Sequence, residues 1–191
     1  VVNVQGQGPG SAQLDGGYKS YRRAVVADLV TLPQKFRWCV ICGLTGTGKS
    51  RLLRELIAGG AQVLDLEALA AHRGSVLGDL PDAPQPSQKM FDSLVWDGLR
   101  KFSAQRPVFV EAESKKIGNL RVPEMLIAAM WQSKSIRLEA PVPVRTALLK
   151  EEYVHFQSSP SVLIEKLECL AALYGHSTIA HWRKLALEQK W

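Results

Sequence analysis

The sequence predicts an α/β fold: a P-loop NTPase-like parallel sheet flanked by helices, with a C-terminal α-helical cap. Three observations predict it. Short apolar runs alternate with segments of helical periodicity, the pattern left by strands joined through crossover helices. One strand-to-helix junction carries Gly43-Leu-Thr-Gly-Thr-Gly48-Lys49-Ser50, which satisfies G-x-x-x-x-G-K-[ST] in full. The last two helical segments, 161–174 and 177–190, have no strand between them.

Residues 1–17, VVNVQGQGPGSAQLDGG, are rich in Gly, Gln and Ser and read as a linker or the tail of an upstream domain. YKSYRRAVVADLVTLP has helical periodicity up to the stop at Pro33. FRWCVIC is a β-rich apolar run, and KSRLLRELIAG is a helix closed by Gly59-Gly60. AQVLDL is a second strand, followed by a short helix that leads into HRGSVLG. GDLPDAPQPSQ, with three prolines, is a loop, and Ser87 caps the helix SQKMFDSLVWDGLRKFSA. RPVFVEAES is a third buried strand, VPEMLIAAMWQS a helix with Pro in its first turn, and SIRLEA a fourth strand. Helices follow at about 143–156, 161–174 and 177–190. The expected sheet is parallel and covered on both faces. The chain thus divides into 1–17, a P-loop α/β domain over 18–156, and a helical subdomain over 157–191.

The chain has 191 residues, 46% apolar and 22% charged, ample for a core. No apolar run approaches the roughly 20 residues of a membrane span, and no signal peptide opens the chain. It begins with Val rather than Met, which suggests a piece of something longer. Lys and Arg outnumber Asp and Glu by 24 to 18, so the net charge is +6. A polyanionic partner or a merely basic surface both accommodate that charge. Three cysteines are too few for a disulfide framework and favour a reducing cytoplasm. Cys39 and Cys42 lie three apart in a strand, on opposite faces, which suits core packing better than a metal pair.

The loop itself is the strongest signal. Gly43, Thr45, Gly46, Thr47 and Gly48 allow successive backbone N–H groups to point inward as a nest, at the positive end of a helix. Lys49 supplies a full charge, Arg51 a second, and Ser50 a hydroxyl suited to Mg²⁺. Such a loop holds a diphosphate or polyphosphate without fixing the reaction. Two carboxylates at the end of the third strand, Glu111 and Glu113, share a face if the strand continues. They serve the magnesium or act as a base, or else are a solvated strand end. Asp65 either reaches the same carboxyl edge of the sheet or simply caps the following helix. Lys19, Arg22 and Arg23, interleaved with tyrosines, suit a nucleic-acid backbone, as do His72 and Arg73 of the HRGS loop. His155, His176 and His181 lack metal-like spacing and read as helix-surface residues.

In order along the chain, GGYKSYRR, GLTGTGKS, DLEALAAHRGS, QPSQ, PVFVEAESKKIG and VPEMLIAAM resemble the P-loop domain of bacterial tRNA 2-selenouridine synthases. The resemblance covers nearly the whole chain. HRGS with QPSQ and VEAESKKIG makes it far more specific than the P-loop alone. It implies a two-step modification of the wobble uridine of tRNA. Geranyl diphosphate first alkylates the sulfur of 2-thiouridine, releasing pyrophosphate, and selenophosphate then supplies selenium in place of the geranylated sulfur. Lys49, the loop amides and Mg²⁺ would stabilise the departing pyrophosphate, with Glu111 and Glu113 beside them. Leu77, Met90, Phe91 and Trp96 are candidates for the geranyl groove. The family also carries an upstream rhodanese-like domain whose cysteine takes part in the selenium step, and none of Cys39, Cys42 or Cys169 matches it. The chain is therefore expected to be the second domain, with the rhodanese-like domain as its missing partner in cis. The residues alone leave two rivals, a P-loop small-molecule kinase or ATPase acting with ATP, and a tRNA-binding module without catalysis.

Overall fold

A computed structural model describes residues 4–6, 12–14, 16–80 and 83–190. Within the segment that reads as a linker, β1 (Val4–Gly6) and β2 (Ala12–Leu14) pair antiparallel, Gln5 opposite Gln13. The chain then enters α1 (Gly17–Thr31), stopped by a 3₁₀ turn at Leu32–Lys35 that contains Pro33.

The central sheet is built from β3 (Trp38–Gly43), β4 (Gln62–Leu64), β5 (Val108–Glu111) and β8 (Lys134–Leu138), in the order β4-β5-β3-β8. Every pairing in it is parallel, with Ile41 opposite both Glu111 and Ile136. α2 (Lys49–Ala58) follows β3, and α3 (Leu66–Ala70) follows β4. α4 (Gln88–Arg100) precedes β5 and α5 (Glu124–Trp131) precedes β8. A two-residue hairpin, β6 (Lys116–Ile117) with β7 (Leu120–Arg121), interrupts the path from β5 to α5. Each of the four expected strands and its helix is therefore present. The hairpin is new, because two-residue strands leave no periodicity to read.

The core lies between the sheet and α1, α4 and α5. Val25, Leu29, Phe91, Val95, Leu99, Val108, Val110, Leu126 and Met130 are buried in it. Its two buried indoles are satisfied: Trp38 Nε1 donates to Pro33 O at 2.7 Å and Trp96 Nε1 to Asp28 Oδ2 at 2.7 Å. Coverage of the sheet is incomplete. Among the described residues β8 pairs on one side only, and four of its five residues are exposed, Ile136 among them.

Beyond β8 the chain is helical: α6 (Val142–Glu152), α7 (Val154–Ser158), α8 (Pro160–Glu168), α9 (Ala171–Tyr174) and α10 (His176–Leu187). The expected helix over 143–156 breaks at Tyr153, and that over 161–174 breaks after Glu168. α8 packs on α7 and α10. These helices bury Phe156, Leu167, Ile179 and Ala186, none of which belongs to the main core. They form a cap with an apolar interior of its own. Among the described residues no helix is long and apolar enough to cross a membrane.

Candidate functional site

The carboxyl ends of β3 and β5 open into a cleft of about 970 Å³. Its floor is the loop 43–50 and the end of β5, its near wall the segment 65–75, and its far wall residues 151–155 of α6 and α7. A parallel sheet binds ligands at this edge, where strand order reverses on either side of β3.

Of the residues expected to hold phosphate, Gly43, Thr45, Gly46, Gly48, Lys49, Ser50 and Arg51 line the cleft. Thr47 does not. Its backbone N–H and its hydroxyl both turn back to Leu44 O, at 3.2 and 2.8 Å, and stiffen the loop from within. Lys49 Nζ donates to Gly43 O at 3.0 Å and lies 3.4 Å from Glu111 Oε1, while Ser50 Oγ donates to Glu111 Oε2 at 3.4 Å. Helix α6 sits directly on the loop. A Cβ at Gly46 would meet Arg145 O at 2.7 Å, and Arg145 Nε donates to Thr45 O at 3.0 Å. Arg51 is ion-paired with Glu151 on α6, which joins the far wall to the floor.

The expected pair of carboxylates is a trio. Glu111 and Glu113 meet Glu67 of α3, with one oxygen from each within 4.8 Å of the others. Burial pushes the Glu67 carboxyl up to about 8, and the charges of Glu111 and Glu113 add to the effect. Burial likewise raises Glu113 to about 7, followed by repulsion from Glu111. Glu111 is raised by burial, which outweighs the opposing attraction of Lys49. Nothing local in DLEALA marks Glu67 as a partner of residues 111 and 113. The topology does, since β4 lies beside β5 and α3 follows β4 at the same sheet edge. Asp65 lines the cleft and also caps α3, its Oδ1 accepting from Ala68 N at 2.9 Å.

The HRGS loop folds over this trio. Gly74, at φ 65°, lies so near that a Cβ there would stand 2.8 Å from Glu67 Oε1 and 3.0 Å from Glu113 Oε2. Arg73 lines the cleft; its guanidinium lies 5.0 Å from the centroid of the Tyr153 ring and donates to Glu152 O. His72 lines the cleft, but its ring is turned into the loop. It is 5% exposed, accepts from Gly74 N at Nδ1 (3.1 Å), and faces Asp79 through Nε2 at 3.2 Å. Burial lowers its pKa despite Asp79, so both nitrogens of the neutral ring are spent on holding the loop. Asp79 is in turn paired with Lys166 of α8.

The basic face of α1 is likewise divided. Lys19 and Arg23 are exposed. Arg22 points instead at α4, with NH2 3.1 Å from Asp92 Oδ2 and NH1 bonded to Lys89 O (2.8 Å) and Ser93 Oγ (3.1 Å). The QPSQ segment is a strap. Gln85 donates to Ile117 O (3.0 Å) and accepts from Asn119 N (2.8 Å), and Gln88 brackets Arg121 in the same way at 2.9 and 2.8 Å. Together they fix the β6–β7 hairpin to α4, with Ser87 capping that helix through Met90 N at 3.3 Å.

Two further expectations change, the apolar groove and His155. Phe91 and Trp96 are core residues, and neither they nor Leu77 and Met90 line the cleft; its apolar contributors are Ala68, Leu80, Ala112 and Val154. His155, read as a helix-surface residue, lines the cleft, and its Nε2 is buried with no hydrogen-bond partner among the described residues. His176 and His181 do not line it. Cys39, Cys42 and Cys169 are free thiols outside it.

The family model described as "tRNA 2-selenouridine synthase AAA domain" matches residues 36–174. A protein named tRNA 2-selenouridine synthase from Hydrogenovibrio crunogenus is 37% identical over 150 residues, 74% of this chain and 40% of its own length. Proteins of the same name from Marinobacter nauticus and Nitrosomonas europaea are 37% and 34% identical over 73% and 75% of the chain, and 37% and 38% of their own lengths. The chain thus spans about two fifths of the curated relatives it matches. No solved structure matches it. With the loop, the strand order and the HRGS segment placed around one cleft, and with a match across most of its length, this chain belongs to the tRNA 2-selenouridine synthase AAA-domain family.

Proposed function

We propose that this chain carries the diphosphate-handling half of a tRNA wobble-uridine modification, S-geranylation of 2-thiouridine with geranyl diphosphate. The observation that carries the reading is the cleft itself. One end is a phosphate loop with Lys49 and Glu111 3.4 Å apart, and its walls add apolar surface from Ala68, Leu80, Ala112 and Val154. The base sulfur bonds to C1 of the geranyl group as the C–O bond to diphosphate breaks, and the ring N–H proton leaves the base. Lys49, Arg51 and the loop amides stabilise the charge gathering on pyrophosphate. Glu113, at about 7, is poised to be the final holder of the released proton near neutrality. Ser50 with Glu111 and Glu67 suits a divalent cation such as Mg²⁺, which when bound would neutralise diphosphate charge. Lys19 and Arg23 offer cations to the tRNA backbone, and Arg73 offers its guanidinium to the same RNA.

Replacement of sulfur by selenium from selenophosphate is assigned to the full-length protein with its rhodanese-like domain. No cysteine lines this cleft among the described residues. Purified chain, 2-thiouridine tRNA, geranyl diphosphate and Mg²⁺ should give geranylated thiouridine on mass spectrometry of digested nucleosides. Selenophosphate should then add little 2-selenouridine until the rest of the protein is supplied. The Lys49–Ser50–Glu111 constellation would also serve ATP, so a competition titration of geranyl diphosphate against ATP decides between them. Tight ATP binding with no geranyl diphosphate binding would replace this reading with that of a kinase or ATPase.

A further inference from the structure

The cleft has a second end, which the diphosphate chemistry leaves unused. It is built at the break between α6 and α7, where the chain brings Tyr153 and His155 up against the HRGS loop. Tyr153 lies parallel to Phe156, with 5.8 Å between centroids and 5° between planes. The Arg73 guanidinium lies 5.0 Å from the centroid of the same Tyr153 ring. Tyr153 OH is held by Ser75 Oγ at 3.0 Å, which fixes the ring in place. The result is a stack of Phe156, Tyr153 and Arg73, with Arg73 and Tyr153 both lining the cleft. Beside it stands His155, 4.2 Å from Phe156 between ring centroids, with its orphaned Nε2.

Each part suits a flat, hydrogen-bonding ring. An arginine plane backed by an aromatic ring is a platform for an unstacked base. A buried nitrogen without a partner is costly in the empty protein, and His155, which lines the cleft, can offer it to a ligand by turning its ring. Burial, reinforced by the charges of Arg73 and Lys166, lowers the His155 pKa, which favours the neutral ring able to accept from an imide N–H. A cleft of about 970 Å³ is large enough for a nucleotide and a diphosphate ester together.

We propose that the end of the cleft formed by Arg73, Ser75, Tyr153 and His155 is the subsite for the base to be modified. A single pyrimidine, turned out of its RNA strand, stacks on Arg73 and presents its N3–H edge to His155 Nε2. The proposal rests on the tRNA-modification reading and deepens it, because it places the reacting ring in the same cleft as the phosphate loop. An enzyme acting on a base must take it out of the stack, and a pocket that grips one ring is what such extrusion needs.

The test compares two RNAs, an anticodon stem-loop with 2-thiouridine at the wobble position and the same stem-loop abasic there. Fluorescence anisotropy on the full chain gives the affinity ratio between them. The wild type should favour the base-containing RNA by about ten- to a hundredfold, the worth of one stacked base. Tyr153→Ala should collapse that ratio while binding the abasic RNA as before. Tyr153→Phe should keep it, and His155→Phe, which keeps a ring but loses the nitrogen, should lower it about fivefold. These two variants retain the ring volume if Tyr153→Ala does not fold. A ratio that survives both Tyr153→Ala and His155→Phe overturns the subsite and leaves the tRNA reading standing. So does a wild type that binds both RNAs equally. A wild type that binds neither RNA overturns the tRNA reading and the subsite with it.

Discussion

Lys49 Nζ stands 3.4 Å from Glu111 Oε1, joining the loop after β3 to the end of the neighbouring strand β5. Both side chains are largely buried, at 12% and 8% exposure, and each offsets part of the other's loss of water, alongside Gly43 O for the lysine and Ser50 Oγ for the carboxylate. In the proposed reading, an incoming diphosphate would compete with Glu111 for the lysine. Occupancy of the loop would then be coupled to the protonation of Glu111, whose pKa the Lys49 charge lowers.

Lys49→Ala removes a charge-assisted contact to diphosphate worth on the order of 1.5–3 kcal/mol, about ten- to a hundredfold in affinity. Calorimetric titration of geranyl diphosphate into wild type and variant should show that loss. Equal affinities would remove the loop from diphosphate recognition.

The carboxylate trio makes stability depend on pH in a defined direction. Glu67 titrates at about 8 in the folded protein against an ordinary value of 4.5, so the native state binds more protons than the unfolded chain between those values. Stability therefore falls as pH rises through that window. Thermal unfolding followed across it should show the midpoint declining, and Glu67→Gln should flatten the decline. Mg²⁺ should raise the midpoint most at the alkaline end. A midpoint that declines identically in Glu67→Gln would exclude Glu67 as the source.

Arg22 and Arg23 are adjacent but should fail differently. Arg22→Ala breaks the clamp on Asp92, Lys89 and Ser93 and should lower unfolding free energy by about 1–3 kcal/mol in urea. Arg23→Ala should leave stability within about 0.5 kcal/mol. It should instead reduce the slope of log affinity for tRNA against log salt by about 1. The same behaviour from both variants would contradict this division.

Gly74→Ala and Gly60→Ala form a controlled pair. Both glycines have positive φ, 65° and 77°, so both substitutions carry the left-handed backbone penalty of about 1 kcal/mol. Only at Gly74 does the new Cβ meet Glu67 and Glu113; at Gly60 nothing lies within 4 Å. Gly74→Ala should cost more in unfolding free energy and abolish nucleoside modification, with Gly60→Ala active. Full activity in Gly74→Ala would show that the loop need not approach the carboxylates so closely.

What could be read from the sequence was local. The phosphate loop is legible because eight consecutive residues dictate its backbone, and the four strands are legible because each is a short apolar run beside a helix. What escaped was made by residues distant in sequence. Glu67 joins Glu111 and Glu113 only because β4 pairs with β5. His155 faces the cleft only because the helix breaks at Tyr153, whose own backbone (φ −108°, ψ 28°) leaves the helical region. Arg22 and His72 carry the right charge and chemistry for RNA, yet partners about 70 residues on for Arg22 and a nearby turn for His72 take up their hydrogen-bonding capacity. Phe91 and Trp96 show why apolar character alone cannot separate a groove from a core.

The far wall of the cleft is tied on by contacts that span the chain: Arg51 to Glu151 and Arg145 to Thr45 are each 100 residues apart, and Arg73 to Glu152 is 79. Loop closures of that length come late in folding, after the local turns and helices have formed. The phosphate loop can take shape as soon as β3 and α2 meet. The enclosed chamber around it exists only once the last third of the chain has returned to it, so a nascent or nicked chain would own a phosphate grip before it owned a reaction vessel.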